Sequence, residues 1–485
     1  MSQLLEVIFR GRRHSGPLDL EAVEMATRAA MHRAGAAVLG ELLSSSETAP
    51  RQVPCGCGEQ AAYHDSRPKQ LTTVVGEVCF QRAYYVCPRC RQGQSPRDTE
   101  LDVEGTHYSP GVRRMMAVVG SETSFAQGGE QLELLAGLEV TAKAVERQAE
   151  TLGADIADRE QIEMQRAKQL ELPQVCAPAV PVLYIEMDGT GVPVVAAETQ
   201  GRRGKTAGQP ARTREVKLGC VFTQTSTDEQ GRPCRDEDST TYTAAIEGAE
   251  RFGLRLFSEA WRRGLSRANK KVILGDGACW IWNLAHQYFP GAIEIVDLYH
   301  ARQHLWELSA KLFPSDQRRR KRWTAQRLNQ LDRGKIETLV QALRRFEPPD
   351  EPLAQLLSNA ADYFQRNAER MRYPAFRRQG LFVGSGVVEA GCKTLIAARL
   401  KRSGMFWTVR GANAIIALRC CRFSGKFEDY WETRSTAASS RSPTFMSHTP
   451  RAPGCRTADQ PSASRSDSDA ARIFRTGIEA AGPRK

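Results

Sequence analysis

Apolar positions recur with two different periods along this chain, and the switches between them outline its elements. From Leu18 to Leu43, alanines and larger apolar residues fall at helical spacing without a proline, which predicts a helix. Leu71 to Val86 is rich in β-branched and aromatic residues around a central Gly76, the pattern of a β-hairpin. Helical periodicity returns from Pro110 to about Gln169, and Pro173 to Pro181 reads as a linker. Val182–Met187, Val192–Ala196 and Val216–Phe222 then read as strands. Thr240–Trp261 reads as a helix, Lys271–Leu274 as a strand, Ala278–Gln287 as a helix and Ala292–Val296 as a strand. That order predicts an α/β layer architecture. Helix dominates from Ala301 to about Gln379, with breaks at Pro314 and Pro348-Pro349, and Val387–Leu400 gives one more. Beyond Trp431, Ser, Arg, Thr and Pro accumulate without periodicity, which predicts a disordered tail. No internal repeat is visible.

Length and composition narrow this picture. A chain of 485 residues exceeds one ordinary core, so two to four domains are expected. With 41% hydrophobic and 26% charged residues, it is not a wholly disordered chain. No apolar run approaches the ~18 residues of a membrane span. The start, MSQLLEVIFRGRRH, lacks a signal-peptide pattern, so a cytoplasmic location is expected. Thirteen cysteines in such a chain should stay reduced, which turns attention to metal binding at close pairs. A formal charge of +12 suits a polyanionic partner and a nucleoid-associated location.

Four groups of residues carry candidate chemistry. Cys55, Cys57, Cys87 and Cys90 form two close pairs at the ends of the predicted hairpin, a spacing suited to a structural Zn²⁺ site; His64 could replace one thiolate, and buried free cysteines are the alternative. Gln131–Ala136, a turn at Gly137, and a helix capped by Thr141 resemble a helix-turn-helix, with Lys143, Arg147 and Gln148 turned outward as DNA contacts; a plain helical hairpin is the alternative. Asp188 and Asp276 each end an apolar strand and precede a glycine, which would let a bulky ligand approach, and two hard carboxylates on neighbouring strands suit Mg²⁺. Glu389 opens the last long helix as a candidate third carboxylate, followed by the basic residues Lys393, Arg399, Lys401 and Arg402; a glutamate favoured in the first turn by the helix dipole alone is the alternative. Asp297, His300 and Arg302 follow the next strand and read as supporting or DNA-contacting residues, with capping by Asp297 as the alternative. The run Arg318–Arg322 is either a solvated helix face or a track for phosphates.

Taken in order, Tyr184–Pro193, Leu274–Trp282, Val296–Arg302 and Gly384–Glu389 resemble the bacterial insertion-sequence DDE transposases of the Kra type, distantly akin to the Mutator-like group. The resemblance runs from about Cys55 to Phe427. It implies a ribonuclease-H-like α/β core interrupted by an inserted α-helical domain; the separation of 113 positions from Asp276 to Glu389 agrees with such an insertion. The implied arrangement is an N-terminal helical segment (1–50), a zinc-ribbon-like module (51–100), a helix-turn-helix region (101–172), the first part of the core (180–300), the insert (301–382), the last part of the core (383–431) and the tail (432–485). Asp188, Asp276 and Glu389 map to the family's catalytic residues, and Asp297 and His300 to its D-x-x-H signature. The resemblance implies two catalytic Mg²⁺ (or Mn²⁺) ions about 3.5–4 Å apart, bridged by Asp188. The implied partners are double-stranded DNA (terminal inverted repeats and target) and a second copy of the chain in a homodimer or larger assembly. A catalytically silent DNA-binding regulator and a non-integrating nuclease of the same fold are the competing readings.

Overall fold

The computed structural model describes residues 19–44, 49–169, 179–204 and 209–440. Its N-terminal part opens on helix α1 (Leu20–Ser44), which lies against the second long strand of a small antiparallel sheet ordered β1 (Gln52–Pro54), β2 (Gln60–Thr73), β3 (Gly76–Val86) and β4 (Gly93–Gln94). The β2–β3 hairpin turns where expected, at Gly76, whose φ of 110° is open to glycine. Short α2 (Pro96–Glu100) leads to α3 (Pro110–Glu122), α4 (Phe125–Ala136) and α5 (Ala142–Lys168). The predicted linker falls mostly in residues 170–178, outside the described residues.

A five-stranded mixed sheet forms the centre. Its strands are β5 (Val180–Pro193), β6 (Thr213–Gln224), β9 (Thr241–Ala245), β10 (Ala268–Gly275) and β11 (Ile293–Val296), with a two-stranded ribbon, β7 (Ser226–Thr227) and β8 (Pro233–Cys234), between β6 and β9. The spatial order is β11-β10-β5-β6-β9. β5, β6 and β9 run antiparallel in succession, whereas β10 and β11 run parallel to β5 on its other side. Helix α6 (Ala249–Arg262) joins β9 to β10, and α7 (Cys279–Tyr288) joins β10 to β11. Helices cover both faces, which is why Leu183, Tyr184, Ile185 and Met187 read as an unbroken apolar run and are all buried. Burying each such side chain contributes about 1.5–3 kcal/mol.

After β11 the chain makes five helices, α8 (Leu298–Leu312), α9 (Gln317–Asp332), α10 (Ile336–Arg344), α11 (Glu351–Arg366) and α12 (Tyr373–Arg378), before returning to the sheet. The returning helix, α13, consists of Gly386–Gly391, a π-helical turn Cys392–Ala397, and Ala398–Leu400. It lies across the sheet from α6: Gly391 approaches Leu218, while the next residue along β6, Gly219, approaches Leu256 of α6. Helix α14 (Val409–Phe423) packs on α5 so closely that the Ala414 backbone occupies the space beside Gly153, and α15 (Phe427–Ser440) follows. Among the described residues no helix is long and apolar enough to cross a membrane.

Three expectations are corrected. Val192–Ala196 is not a separate strand: β5 runs on to Pro193 because β6 keeps pairing with it after β10 has stopped at Met187. Thr240–Trp261 is not one helix. Thr241 to Ala245 pair with β6 as an edge strand, and the helix begins only after Gly248. The ordered chain also continues past Trp431, since α15 reaches Ser440 and Arg434 sits 2.6 Å from Asp102. The rest of the predicted tail, 441–485, lies outside the described residues.

The Arg434–Asp102 pair yields a test. Ending the chain after Arg441 should leave the melting temperature unchanged. Ending it after Glu432 removes Arg434 and the Thr433 hydroxyl that accepts from Arg159; this should cost about 1–3 kcal/mol in urea unfolding.

Candidate active site and cysteine cluster

Asp188 and Asp276 lie side by side where the pairing of β5 with β10 ends. The β10–β5 pairing ends at Gly275 opposite Met187, so the next residue on each strand is one of the two aspartates. Asp276 begins a turn by accepting from the Ala278 backbone N–H at 2.9 Å, whereas Asp188 stays within β5, opposite Leu218 of β6, and accepts from the Gly189 backbone N–H at 2.6 Å. Glu389 lies in the first turn of α13, 4.0 Å from Lys393. All three carboxylates are half-buried. Burial raises Asp188 above the ordinary aspartate range, against the opposing Cys392 thiol and Gly189 N–H, and the charge of Asp276 pushes it further up. Burial likewise raises Glu389, with Asp297 and Asp188 adding to the rise and Lys393 and His300 opposing it. Asp276 thus acts on the ionisation of Asp188, and Asp297 and Asp188 on that of Glu389. Among the described residues the three candidate ligands are not drawn within 4.8 Å of one another, as the four cysteines are.

Asp297 connects the parts of this site. Fully buried at the N-cap of α8, it accepts from the His300 backbone N–H at 2.7 Å through one oxygen. Its other oxygen accepts from the backbone N–H of Ser385 and from the Ser385 hydroxyl at 2.5 Å. One carboxylate thus ties the residue where the chain enters the five helices to the residue where it leaves them, four positions before Glu389. The capping reading is correct and incomplete, and burial removes Asp297 from the candidate DNA contacts. Glu186 adds a second tie. It is buried beneath Asp188 on β5 and accepts from the Val388 backbone N–H at 2.8 Å, while its other oxygen has no partner. Burial pushes its carboxyl up to about 8, against the Val388 hydrogen bond.

Asp297→Ala leaves the Ser385 and His300 donors without their acceptor. Urea unfolding should show a loss of about 2–4 kcal/mol. Asp297→Asn, which keeps one acceptor oxygen, should lose about half as much.

The glycines after the aspartates serve a different purpose from the one expected. A side chain at Gly277 would meet the ring of Tyr363 from α11, and one at Gly189 would meet Glu215. Both admit the protein's own side chains rather than a ligand. Tyr363 donates to the Asp276 carbonyl at 3.0 Å and packs against His304, which in turn meets His300 edge-on, so α11 and α8 close over the β10 turn.

The candidate DNA contacts divide. Thr141 caps α5 by accepting from Ala144, Gly137 ends α4 in the left-handed conformation, and Lys143 and Arg147 are exposed with Gln148 half-buried, an arrangement that a helix-turn-helix and a plain helical hairpin share. Lys143 pairs with Glu146 at 2.8 Å. Lys393 is exposed beside Glu389. Arg302 is held by Asp332, at 3.1 and 2.7 Å. Arg399 is a correction: it is completely buried, donates to the Gly120 carbonyl and lies between the rings of Phe125 and Trp407, at 4.6 and 4.9 Å. From there it cannot reach DNA; it fastens α13 to α3 and α4.

The cysteine quartet assembles. Sγ of Cys55 lies 3.5 Å from that of Cys90, and Cys57 lies 3.6 Å from both Cys55 and Cys87. A tetrahedron with Zn–S bonds of ~2.3 Å has edges of about 3.8 Å. Two tight turns present the pairs: Gly58 donates to the Cys55 carbonyl and Arg91 to that of Cys87, with φ of 90° and 61° at the donors. The Cys90 and Arg89 backbone N–H groups pull the Cys87 thiol down to about 7. Cys55, although its thiolate is favoured by the Cys57 backbone, is pushed up to about 12 by burial and by the neighbouring sulfurs. Four soft donors at this spacing could hold a zinc ion. His64 is not among them; it is exposed on β2 and pairs with Asp65.

No protein-family model matches the sequence. The chain is 24% identical over 379 residues to the "UPF0236 protein in vanSb 3′ region" of Streptococcus gallolyticus, covering 75% of this chain and 74% of that one. Among solved structures it aligns with a Drosophila P element transposase strand transfer complex at 9% identity, over 66% of this chain and 80% of that one, with a TM-score of 0.23.

Sequence reasoning missed Ser385, Tyr363 and Cys392 as parts of this site. Ser385 had a local signal, since a small polar residue preceding a helix is a natural hydrogen-bond partner. Tyr363 and Cys392 had none, because their roles arise from contacts across long stretches of chain.

Proposed function

We propose that the chain is a metal-dependent DNA transposase that cleaves the ends of its element and joins them to target DNA. The observation that carries this reading is that Asp188 and Asp276 stand side by side where the parallel β5–β10 pairing ends, while Glu389, on a helix that returns after five intervening helices, feels the charge of Asp188. An antiparallel meander continued by two parallel strands agrees with a ribonuclease-H-like core, and α8 to α12 agree with an inserted helical domain. Hard divalent cations would take oxygen ligands of this kind, with the three half-buried carboxylates as the donors. Such ions, when bound, supply Lewis-acid activation of the attacking oxygen and stabilisation of the leaving oxygen.

The chain's own groups do the rest. Asp297 and Glu186 fix the helix that presents Glu389, through Ser385 and Val388. Tyr363 holds the turn that presents Asp276. The cysteine module and the α4–α5 turn would grip the terminal repeats, and two copies of the chain would hold two ends. Neither a serine nor a tyrosine nucleophile is required.

A strand-transfer assay separates the readings. Labelled element ends with target plasmid should give joined product in Mg²⁺ and none in EDTA. Binding without cutting would favour the regulator, and cutting without joining the nuclease.

A further inference from the structure

Helix α9 carries charges that its own folding does not ask for. Arg318, Arg319, Arg320, Lys321 and Arg322 fill its N-terminal turns, where the helix dipole disfavours cations, and no acidic residue lies between the cap Asp316 and Asp332. Trp323, Thr324 and Leu331 face inward, while Arg318, Arg319, Lys321 and Arg322 are exposed. Arg319 rests over the Phe313 ring, and none of the four has an ion-pair partner among the described residues. Other arginines of the same helical region, Arg302, Arg344, Arg370 and Arg372, all pair with carboxylates. Arg318, Arg319, Lys321 and Arg322 thus crowd one exposed face of the N-terminal turns of α9, where no carboxylate offsets them.

The position of that face is fixed by α8. Arg302, near the start of α8, pairs with Asp332 at the end of α9, while Phe313, just past α8, meets Trp323 and Arg319 near the start of α9. The two helices therefore run antiparallel, and the basic turns lie at the opposite end of α8 from Asp297 and His300. The 15 residues of α8 span about 22 Å. That is the rise of about six base pairs of duplex DNA. The face presents no exposed aromatic ring on which unpaired bases could stack, so its chemistry fits a duplex backbone rather than a single strand.

We propose that the face of α9 formed by Arg318, Arg319, Lys321 and Arg322 binds the phosphate backbone of duplex DNA about six base pairs from the phosphodiester held at the carboxylates. This rests on the transposase reading for the position of the cut. These contacts carry no sequence information; they set the angle at which the duplex enters the site.

The test compares the full chain with its Arg318→Ala/Lys321→Ala/Arg322→Ala variant, measuring affinity for a 30-base-pair duplex by fluorescence anisotropy across salt concentrations. Each lost phosphate contact lowers the slope of log K against log salt by about 0.9, so the variant's slope should be shallower by about 2–3. Hydroxyl-radical protection should disappear about six base pairs from the cut and persist elsewhere. Should the triple variant fold poorly, Arg322→Ala alone should lower the slope by about 1. An unchanged slope in a variant of unchanged melting temperature overturns the proposal and leaves the transposase reading standing. A slope that changes only with duplex RNA overturns it in favour of an RNA partner. A wild-type chain that binds no duplex DNA overturns both.

Discussion

Asp188→Asn, Asp276→Asn and Glu389→Gln should each lower DNA cleavage by about a thousandfold or more while end binding persists. Each change removes a charged oxygen ligand and preserves shape, so the fold has no reason to fail. Because the three act as one unit, the double variants should be scarcely worse than the singles. A second readout distinguishes this from simple damage. Burial holds the Asp188 and Glu389 carboxyls above their ordinary range, so ionising them in the folded, metal-free chain is unfavourable. A raised carboxyl contributes stability that is full below its unfolded pKa and lost as pH rises through its folded value. Above the folded value that contribution is absent, and the neutral amides remove the cost of the buried charge. The metal-free Asp188→Asn and Glu389→Gln proteins should therefore melt at the same or a higher temperature than the parent, even as activity disappears. Glu186→Gln is the control. Gln keeps an acceptor for the Val388 N–H, so cleavage should survive. Loss of cleavage in Glu186→Gln with retention in Glu389→Gln would transfer the third-carboxylate role to Glu186.

Replacing Cys87 and Cys90 with serine should take the chain from about one bound zinc to none by elemental analysis, and the loss should be the same with or without magnesium. The apolar cluster around the four sulfurs contains only Val53, Ala61, Tyr85 and Cys87 as buried members. A cluster that small does not hold a sheet end by itself, and a structural zinc supplies about 10–16 kcal/mol of apparent binding energy. The β1–β4 end of the sheet should therefore become accessible to protease in the variant. The opposite end, where Leu71, Phe80 and Val103 pack together and α1 covers β3, should stay protected. End binding should weaken while the five-stranded sheet melts as before. A parent protein that carries no zinc when freshly purified would contradict the prediction.

How much of this was readable in the sequence varied with the range of the contacts involved. Gly275–Asp276 could be read because a strand buried on both faces is an unbroken apolar run, and its end marks where a polar side chain leaves the sheet; Asp188, also expected at a strand end, instead stays within β5 because β6 keeps pairing past it. The cysteine pairs were readable because their spacing across a hairpin is itself the signal. The edge strand Thr241–Ala245 was hidden by its two alanines, which lengthened the apparent helix; only pairing with β6, remote in sequence, makes it a strand. Arg399 shows the same limit for a charge. An arginine beside Lys401 and Arg402 reads as a surface cation, and nothing local reveals Phe125, more than 270 positions away, as one side of its pocket. Asp297 was legible as a cap but not as a tie to Ser385, since that bond depends on the five helices bringing their two ends together.

In the proposed reading Asp188, Asp276 and Glu389 jointly hold divalent cations beside bound DNA. A manganese titration followed by electron paramagnetic resonance, on zinc-loaded protein with an uncleaved element end, tests it most directly. The account predicts two Mn²⁺ ions per chain, spin-coupled at a separation of about 4 Å, and loss of that coupled pair in Asp188→Asn. Two ions bound equally well by Asp188→Asn, or no coupled pair in the parent complex, would contradict it.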